Sequence, residues 1–331
     1  MRLGALLLGW ALVPCLAFEL RLGRAAVQSG PSEWVKVLLF EQGDTRAAVI
    51  TLDSGEMDAS GAAAIRKLAE PYLPPANVLI ASTKSGAGKP NTARAAEALK
   101  LAAADLAPVR ILAGLGKEES VSFYRRYLMR DGAVRQDPAR GSEIVQPAGE
   151  IDSELRLIRF DAPNGTASAV IVNFPLNADA TGYPAHLSRL LGKLYGPTLV
   201  SLVTAGAAAN LAPADARSRE SAQGWKTGAI LAGEAVKTWV RCEPAEPSRL
   251  IVVREPGSEV MVIALSPALA IAALPGDLFT ELGRAIKRAS PFAATVVVSL
   301  AGVSAGMIPS KKAFQEGALD PPTRPGRAGR R

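Results

Sequence analysis

Side chains that commonly carry chemistry are sparse in this chain, which makes their spacing informative. There is one histidine, His186, and there are two cysteines, Cys15 and Cys242. An apolar run from Leu269 to Leu274 stops at Pro275-Gly276, and Asp277 follows immediately, just before the helix-period residues Leu278, Phe279, Leu282 and Ile286. A carboxylate at such a strand-to-helix turn can cap the helix or reach into the cleft outside the strand end. Asp53, Glu56 and Asp58 are close enough in sequence for a divalent-ion site, although acids in this position more commonly cap a helix or face solvent. Gly302-Val303-Ser304-Ala305-Gly306 fits a nucleophile elbow around Ser304, but that motif needs a helix next and a histidine later. Pro309 follows within five residues and His186 lies upstream, so a small-residue turn is the favoured reading. The loop Ser85-Gly86-Ala87-Gly88-Lys89-Pro90 hints at a phosphate loop, with Thr83 in place of its first glycine and Pro90 in place of its final Ser/Thr. Lys84 and Lys89 then flank flexible backbone N–H groups as anion-binding candidates. Arg125 and Arg126 are a second such pair, able to meet an acidic headgroup or buried carboxylates. His186, at a helix start, reads as a surface or capping residue, with catalysis the alternative.

The elements that must position these residues alternate. Val35 to Phe40 and Ala47 to Leu52 read as strands joined at Gln42-Gly43-Asp44, with a helix over Ala59 to Ala69 and a break at Pro71 to Pro75. Val78 to Ser82 reads as a buried strand, Ala93 to Leu106 as a helix and Val109 to Leu112 as a short strand; the segment Phe123 to Gly132 follows, and then a polar loop to about Glu150. Leu155 to Phe160 and Ser168 to Phe174 form a hairpin over Asn164-Gly165. Then come a helix from Tyr183-Pro184 to Leu194, a strand at Thr198 to Val203, a long helix at Arg219 to Trp239, and strands at Leu250 to Arg254, Val260 to Ala264 and Thr295 to Leu300. The expected fold is α/β, with mixed β-sheets flanked by helices in one domain over residues 18–320.

Several segments, in order, resemble the neutral (non-lysosomal) ceramidase family. Pro275-Gly276-Asp277-Leu278-Phe279 resembles its Pro-Gly-Glu-x-Phe, and Met307-Ile308-Pro309-Ser310 its Tyr-Ile-Pro-Thr-like turn. Glu41 to Arg46, Asn77 to Ile80, and Arg125-Arg126 with Asp131-Gly132 resemble further signatures, so the likeness runs over roughly residues 20–320. The resemblance implies a ceramidase-like α/β domain in which zinc and its histidines would hydrolyse the amide of an N-acyl sphingoid lipid. The family's histidines lie in Thr-His-Thr-His-Ser-Gly and Asn-Phe-x-x-His-Pro segments, and the matching positions here are Lys84, Gly86 and Asn177. Further family site positions read Asn210, Ala212, Met307 and Leu319, leaving Asp277 as the one metal-capable group. A lysine repels zinc unless deprotonated. The expectation is therefore a non-catalytic homologue without a metal, retaining a cleft for a lipid, another amphiphile or an anion. The alternative is an active amide or ester hydrolase rebuilt around Asp277, Asp53 and His186.

Residues 1–17, with Arg2 and a short apolar run ending Cys-x-Ala, read as a signal peptide and point to a secreted or periplasmic protein. A retained anchor and lipidation at Cys15 are the alternatives. Cleavage would take 38 basic residues to 37 against 31 acidic, a net charge of about +6, and leave Cys242 unable to form an intramolecular disulfide. The body lacks basic-aromatic interleaving, which argues against nucleic acid. The tail, residues 321–331, carries Arg324, Arg327, Arg330 and Arg331 among Pro and Gly, and reads as disordered or able to touch an acidic membrane surface.

Overall fold

A computed structural model describes residues 19–85, 88–139, 143–178, 182–217, 223–246 and 248–316. The expected signal peptide, Gly86, Leu319 and the basic tail lie outside the described residues. Three main sheets organise the chain. The first has the order Val78–Ser82, Thr45–Leu52, Trp34–Gln42, Arg21–Gln28 and Ala107–Pro108. The second has the order Val200–Ala205, Ala167–Phe174, Glu154–Asp161, Arg110–Lys117 and Glu243–Pro244. The third runs Ile251–Arg254, Met261–Ser266, Leu269–Ala273 and Ala294–Val298. Each combines antiparallel neighbours with one parallel pair: Thr45–Leu52 with Val78–Ser82, Ala167–Phe174 with Val200–Ala205, and Leu269–Ala273 with Ala294–Val298.

Alternation along these strands explains the layering. In the first sheet Leu38, Phe40, Val49 and Leu79 join Phe160, Ile171 and Leu202 of the second and Ile263, Ile271 and Val296 of the third in one central core. The other face of the first sheet, with Val37, Leu39 and Ile50, packs on helices α1 (Ala59–Ala69) and α2 (Thr92–Ala104). The other face of the second packs on α3 (Tyr183–Tyr195) and α4 (Gly224–Trp239), which bury Leu187, Leu191, Leu231 and Trp239. Helix α1 starts where Asp58 accepts a hydrogen bond from the Gly61 N–H at 2.7 Å, and α2 where Asn91 accepts from the Arg94 N–H. Both are N-caps.

The α/β architecture expected from the sequence is the one observed. Three elements differ. Arg21–Gln28, with no strong alternation of its own, is a strand because Trp34–Gln42 pairs with its whole length. The segment read as a polar loop carries the short strands Val134–Gln136 and Ile144–Pro147, which flank Arg126–Met129 in a small sheet and whose exposed positions hid the signal. The strand predicted over Val109 to Leu112 extends from Arg110 to Lys117, held on both sides by Glu154–Asp161 and Glu243–Pro244.

Candidate functional site

The loops that follow five strands meet at one end of the molecule. Thr45–Leu52 leads to Glu56, Val78–Ser82 to Lys84, Ala167–Phe174 to Asn177, Leu269–Ala273 to Asp277, and Ala294–Val298 to Ser304. Clefts of α/β proteins form outside the carboxyl ends of strands, and here three sheets share that edge. Backbone bonds stitch it together: Ser82 N–H donates to Leu300 O at 3.2 Å, Gly302 N–H to Ile80 O at 2.8 Å, Ser299 N–H to Ala205 O at 2.9 Å and Ala178 N–H to Thr83 O at 3.1 Å. The Asn173 side chain donates to Val297 O at 2.9 Å, tying the second sheet to the third.

At the centre of the cluster is Lys84. Its ammonium donates to Asp277 Oδ2 at 2.9 Å and to Glu56 Oε1 at 2.8 Å. Asn177 Nδ2 donates to the same Asp277 Oδ2 at 2.8 Å, and the Ser304 hydroxyl donates to Glu56 Oε2. Asp277 is 3% exposed, so its charge depends on these donors rather than on water. Burial alone would lower the Lys84 pKa, but the charge of Asp277 and the hydrogen bonds to Glu56 and Asp277 outweigh it, and the ammonium is held above its ordinary value. Burial would likewise raise Glu56, yet bonds from Lys84 and Ser304 bring it below the usual carboxylate value. Lys84 is thus a fixed cation between two carboxylates, and Lys84, Glu56 and Asp277 together carry a formal charge of −1.

The backbone at this point is unusual in two places. Lys84 has φ +58°, a left-handed conformation rare for a residue with a long side chain. Gly276 has φ +78°, and a Cβ there would lie 2.6 Å from Gly306 O, so only glycine admits the turn that presents Asp277. The carboxylate does not cap the following helix. Helix α5 (Thr280–Ala289) has Phe279 at its N-cap with no side-chain cap bond, and the Thr280 N–H donates to Asn210 Oδ1 at 2.8 Å. Asn210 also donates to Glu281 Oε2 at 2.9 Å, and the Tyr124 hydroxyl donates to Glu281 Oε1. The Tyr124 phenol is pushed well above its ordinary pKa by burial and by Glu281.

Of the sequence-singled residues, Lys84, Asn177 and Asp277 thus converge. Met307 is beside them through the parallel pairing of Asp277–Leu278 with Met307–Ile308, while Asn210 holds the start of α5 and Ala212 pairs with Phe123. Asp53 is buried beneath, accepting from Trp34 N–H at 3.1 Å and from the Thr83 hydroxyl at 3.0 Å, with its pKa raised by burial against the charge of Lys36. His186 lies on α3 with Nδ1 3.0 Å from an Arg189 Nη2. Arg125 pairs with Asp137 and the buried Arg126 with Glu316 at 2.5 Å, so both take carboxylate partners from this chain. Lys89 is exposed on the loop after Gly88. Glu56 and Ser304 belong to the cluster although the sequence suggested other roles for them, since only the fold shows that residues 248 positions apart meet. Among the described residues no three of His, Cys, Asp and Glu gather as a metal-holding group.

No family model and no curated protein matches the chain. Solved structures do. A crystal structure of the neutral ceramidase from Pseudomonas aeruginosa superposes with a TM-score of 0.68 at 13% identity, covering 91% of this chain and 70% of that one. A ceramidase complexed with C2 gives the same score and identity over 91% of this chain and 71% of its own. At that identity the likeness establishes the fold, and the fold is that of the neutral ceramidases.

Proposed function

We propose that this chain is a ceramidase-related protein that binds a lipid or other amphiphile at the Lys84 cluster and does not hydrolyse it through zinc. One observation carries the reading. At the end of the fold where the resemblance places a metal, the Lys84 ammonium takes the Asp277 oxygen that a cation would need, and it stays protonated. Zinc ligands must carry free lone pairs, which an ammonium lacks and a primary amide offers only weakly at its oxygen. The donor set of Lys84, Asn177 and Asp277 therefore does not suit zinc.

The cluster is suited to binding instead. Asn177 Oδ1 is buried with no hydrogen-bond partner among the described residues, an acceptor waiting for a donor. With a formal charge of −1 around it, the preferred donor is a hydroxyl, an amide N–H or an ammonium, the groups found at the polar end of a neutral or cationic amphiphile. The apolar leader at residues 1–17 supports export of such a protein, and the basic tail a contact with an acidic membrane surface. The test is incubation of the purified protein with a fluorescent N-acylsphingosine, with and without added zinc, reading both fatty-acid release and binding by fluorescence polarisation. Saturable binding without release is expected. Zinc-dependent release that Asp277→Asn abolishes would refute the proposal.

A further inference from the structure

A groove of about 1020 Å³ lies beside the cluster, between α3 and the segment leading into Trp34–Gln42, with Ser85 on its rim. Its volume is at the upper end of the range of small-molecule sites. Helix α3 lines it with His186, Arg189 and Lys193, which the 3- and 4-residue spacing puts on one helical face. Lys36 stands in its floor at 6% exposure, and its ammonium donates to Ser188 Oγ and to Ser201 O, each at 2.8 Å. An ammonium has three donors, so one is left for an occupant. Against these cations stand Glu33 at the rim and Asp53 behind Lys36. Trp34, Ala26 and Leu199 contribute apolar wall.

We infer that this groove is a second binding site, selective for a single-chain amphiphile with an anionic carboxylate or phosphate head. The head is recognised by Lys36 from below and by Arg189 and Lys193 from above, and the chain lies along Trp34 and Leu199. The sign of charge separates the two sites: the Lys84 cluster is net negative, while the three cations of the groove outnumber its acids. Burial lowers the Lys36 pKa and only partly meets an opposing charge in Asp53, so an anion beside it relieves a cost already present in the empty groove. This inference goes beyond the proposed function and does not depend on whether the Lys84 cluster binds or hydrolyses anything.

Calorimetric titration of the full chain with monomeric decanoate and with decyl phosphate tests it, with decanol and inorganic phosphate as the chain-only and head-only controls. Both charged amphiphiles are expected to bind saturably, and Arg189→Ala/Lys193→Ala, at exposed positions that leave the core intact, is expected to weaken them about tenfold or more. Lys36→Met is a second variant, read only if its circular dichroism and melting remain those of a folded protein. Decanol binding as tightly as decanoate, or undiminished decanoate binding in Arg189→Ala/Lys193→Ala, would overturn the inference. Inorganic phosphate binding as tightly as decyl phosphate would overturn the assignment to an amphiphile. Loss of decanoate binding in Lys84→Met with Arg189→Ala/Lys193→Ala unaffected would move the site to the Lys84 cluster and likewise refute it.

Discussion

Replacing Lys84 with methionine isolates the ammonium, because methionine keeps a long unbranched stem and the same left-handed backbone penalty at φ +58°. The change leaves Asp277, 3% exposed, with a buried charge whose nearest cation is gone. Breaking a buried ion pair by removing one partner costs about 3–5 kcal/mol. Lys84 keeps 23% of its side chain exposed and Glu56 keeps 37%, so solvent recovers part of this, and the expectation is about 2–4 kcal/mol. Unfolding entropy of about 2.1 cal/mol/K per residue over roughly 300 residues converts that to a fall in Tm of about 3–6 °C. The difference between the two proteins also has a set pH window. Glu56 has a folded pKa below 4.5, so its pairing contributes above that value and is lost as pH falls through the folded pKa. Lys84 has a folded pKa above 10.5, so its contribution is complete below that value and is lost as pH rises through the folded pKa. Urea melts from acid to alkali should therefore show a plateau of difference between these limits, closing on either side. Lys84→Met/Asp277→Asn, which removes both charges, should recover most of the loss. A Lys84→Met protein within about 0.5 kcal/mol of the parent across that window would refute the assignment of Lys84 as counter-ion to a buried carboxylate.

Three further outcomes follow from the surrounding scaffold. Asn210→Ala removes the side chain that receives the Thr280 N–H and supports Glu281, and should cost about 2 kcal/mol in denaturant unfolding while freeing the start of α5 to faster amide exchange. Gly276→Ala must move the strained turn away from Gly306 O, and should destabilise the fold by about 2 kcal/mol or more; an unchanged melt would show that the turn has another conformation within reach. Burial raises the Cys242 thiol to about 11, with the Arg159 charge only partly opposing, so alkylation by iodoacetamide at pH 8 should be roughly 200-fold slower than for an ordinary thiol. A rate that is half-maximal near pH 8.5 would contradict that environment.

Much of the scaffold was legible in the sequence because the central strands are continuous apolar runs and the helical segments carry helix-period apolar residues, α1 and α2 also starting at the side-chain caps Asp58 and Asn91. The chain positions of Lys84, Asn177 and Asp277 were legible as well, since each follows a buried strand, although only a resemblance connected them. What the sequence did not reveal is the electrostatic design. Glu56 looked like one of three acids before a helix, and Asp58 does cap that helix, but the loop delivers Glu56 to a lysine 28 residues on. Gly302-Val303-Ser304-Ala305-Gly306 read as a small-residue turn rather than a nucleophile elbow, and what the sequence did not show is that this turn aims the Ser304 hydroxyl at Glu56. The small sheet around Arg126–Met129 was missed because its strands are only three or four residues long and the two outer ones, Val134–Gln136 and Ile144–Pro147, are partly exposed, so no periodicity separates them from loop.

The most direct measurement is the zinc content of the purified protein by elemental mass spectrometry after dialysis against zinc and then zinc-free buffer, beside Lys84→His/Gly86→His/Asn177→His prepared in the same way. With Lys84 holding the Asp277 oxygen, the parent should retain far less than one zinc per chain while the histidine variant retains more. Near-stoichiometric zinc in the parent, lost on Asp277→Asn, would contradict the central claim that the Lys84 ammonium, and not a metal ion, is the counter-ion of Asp277.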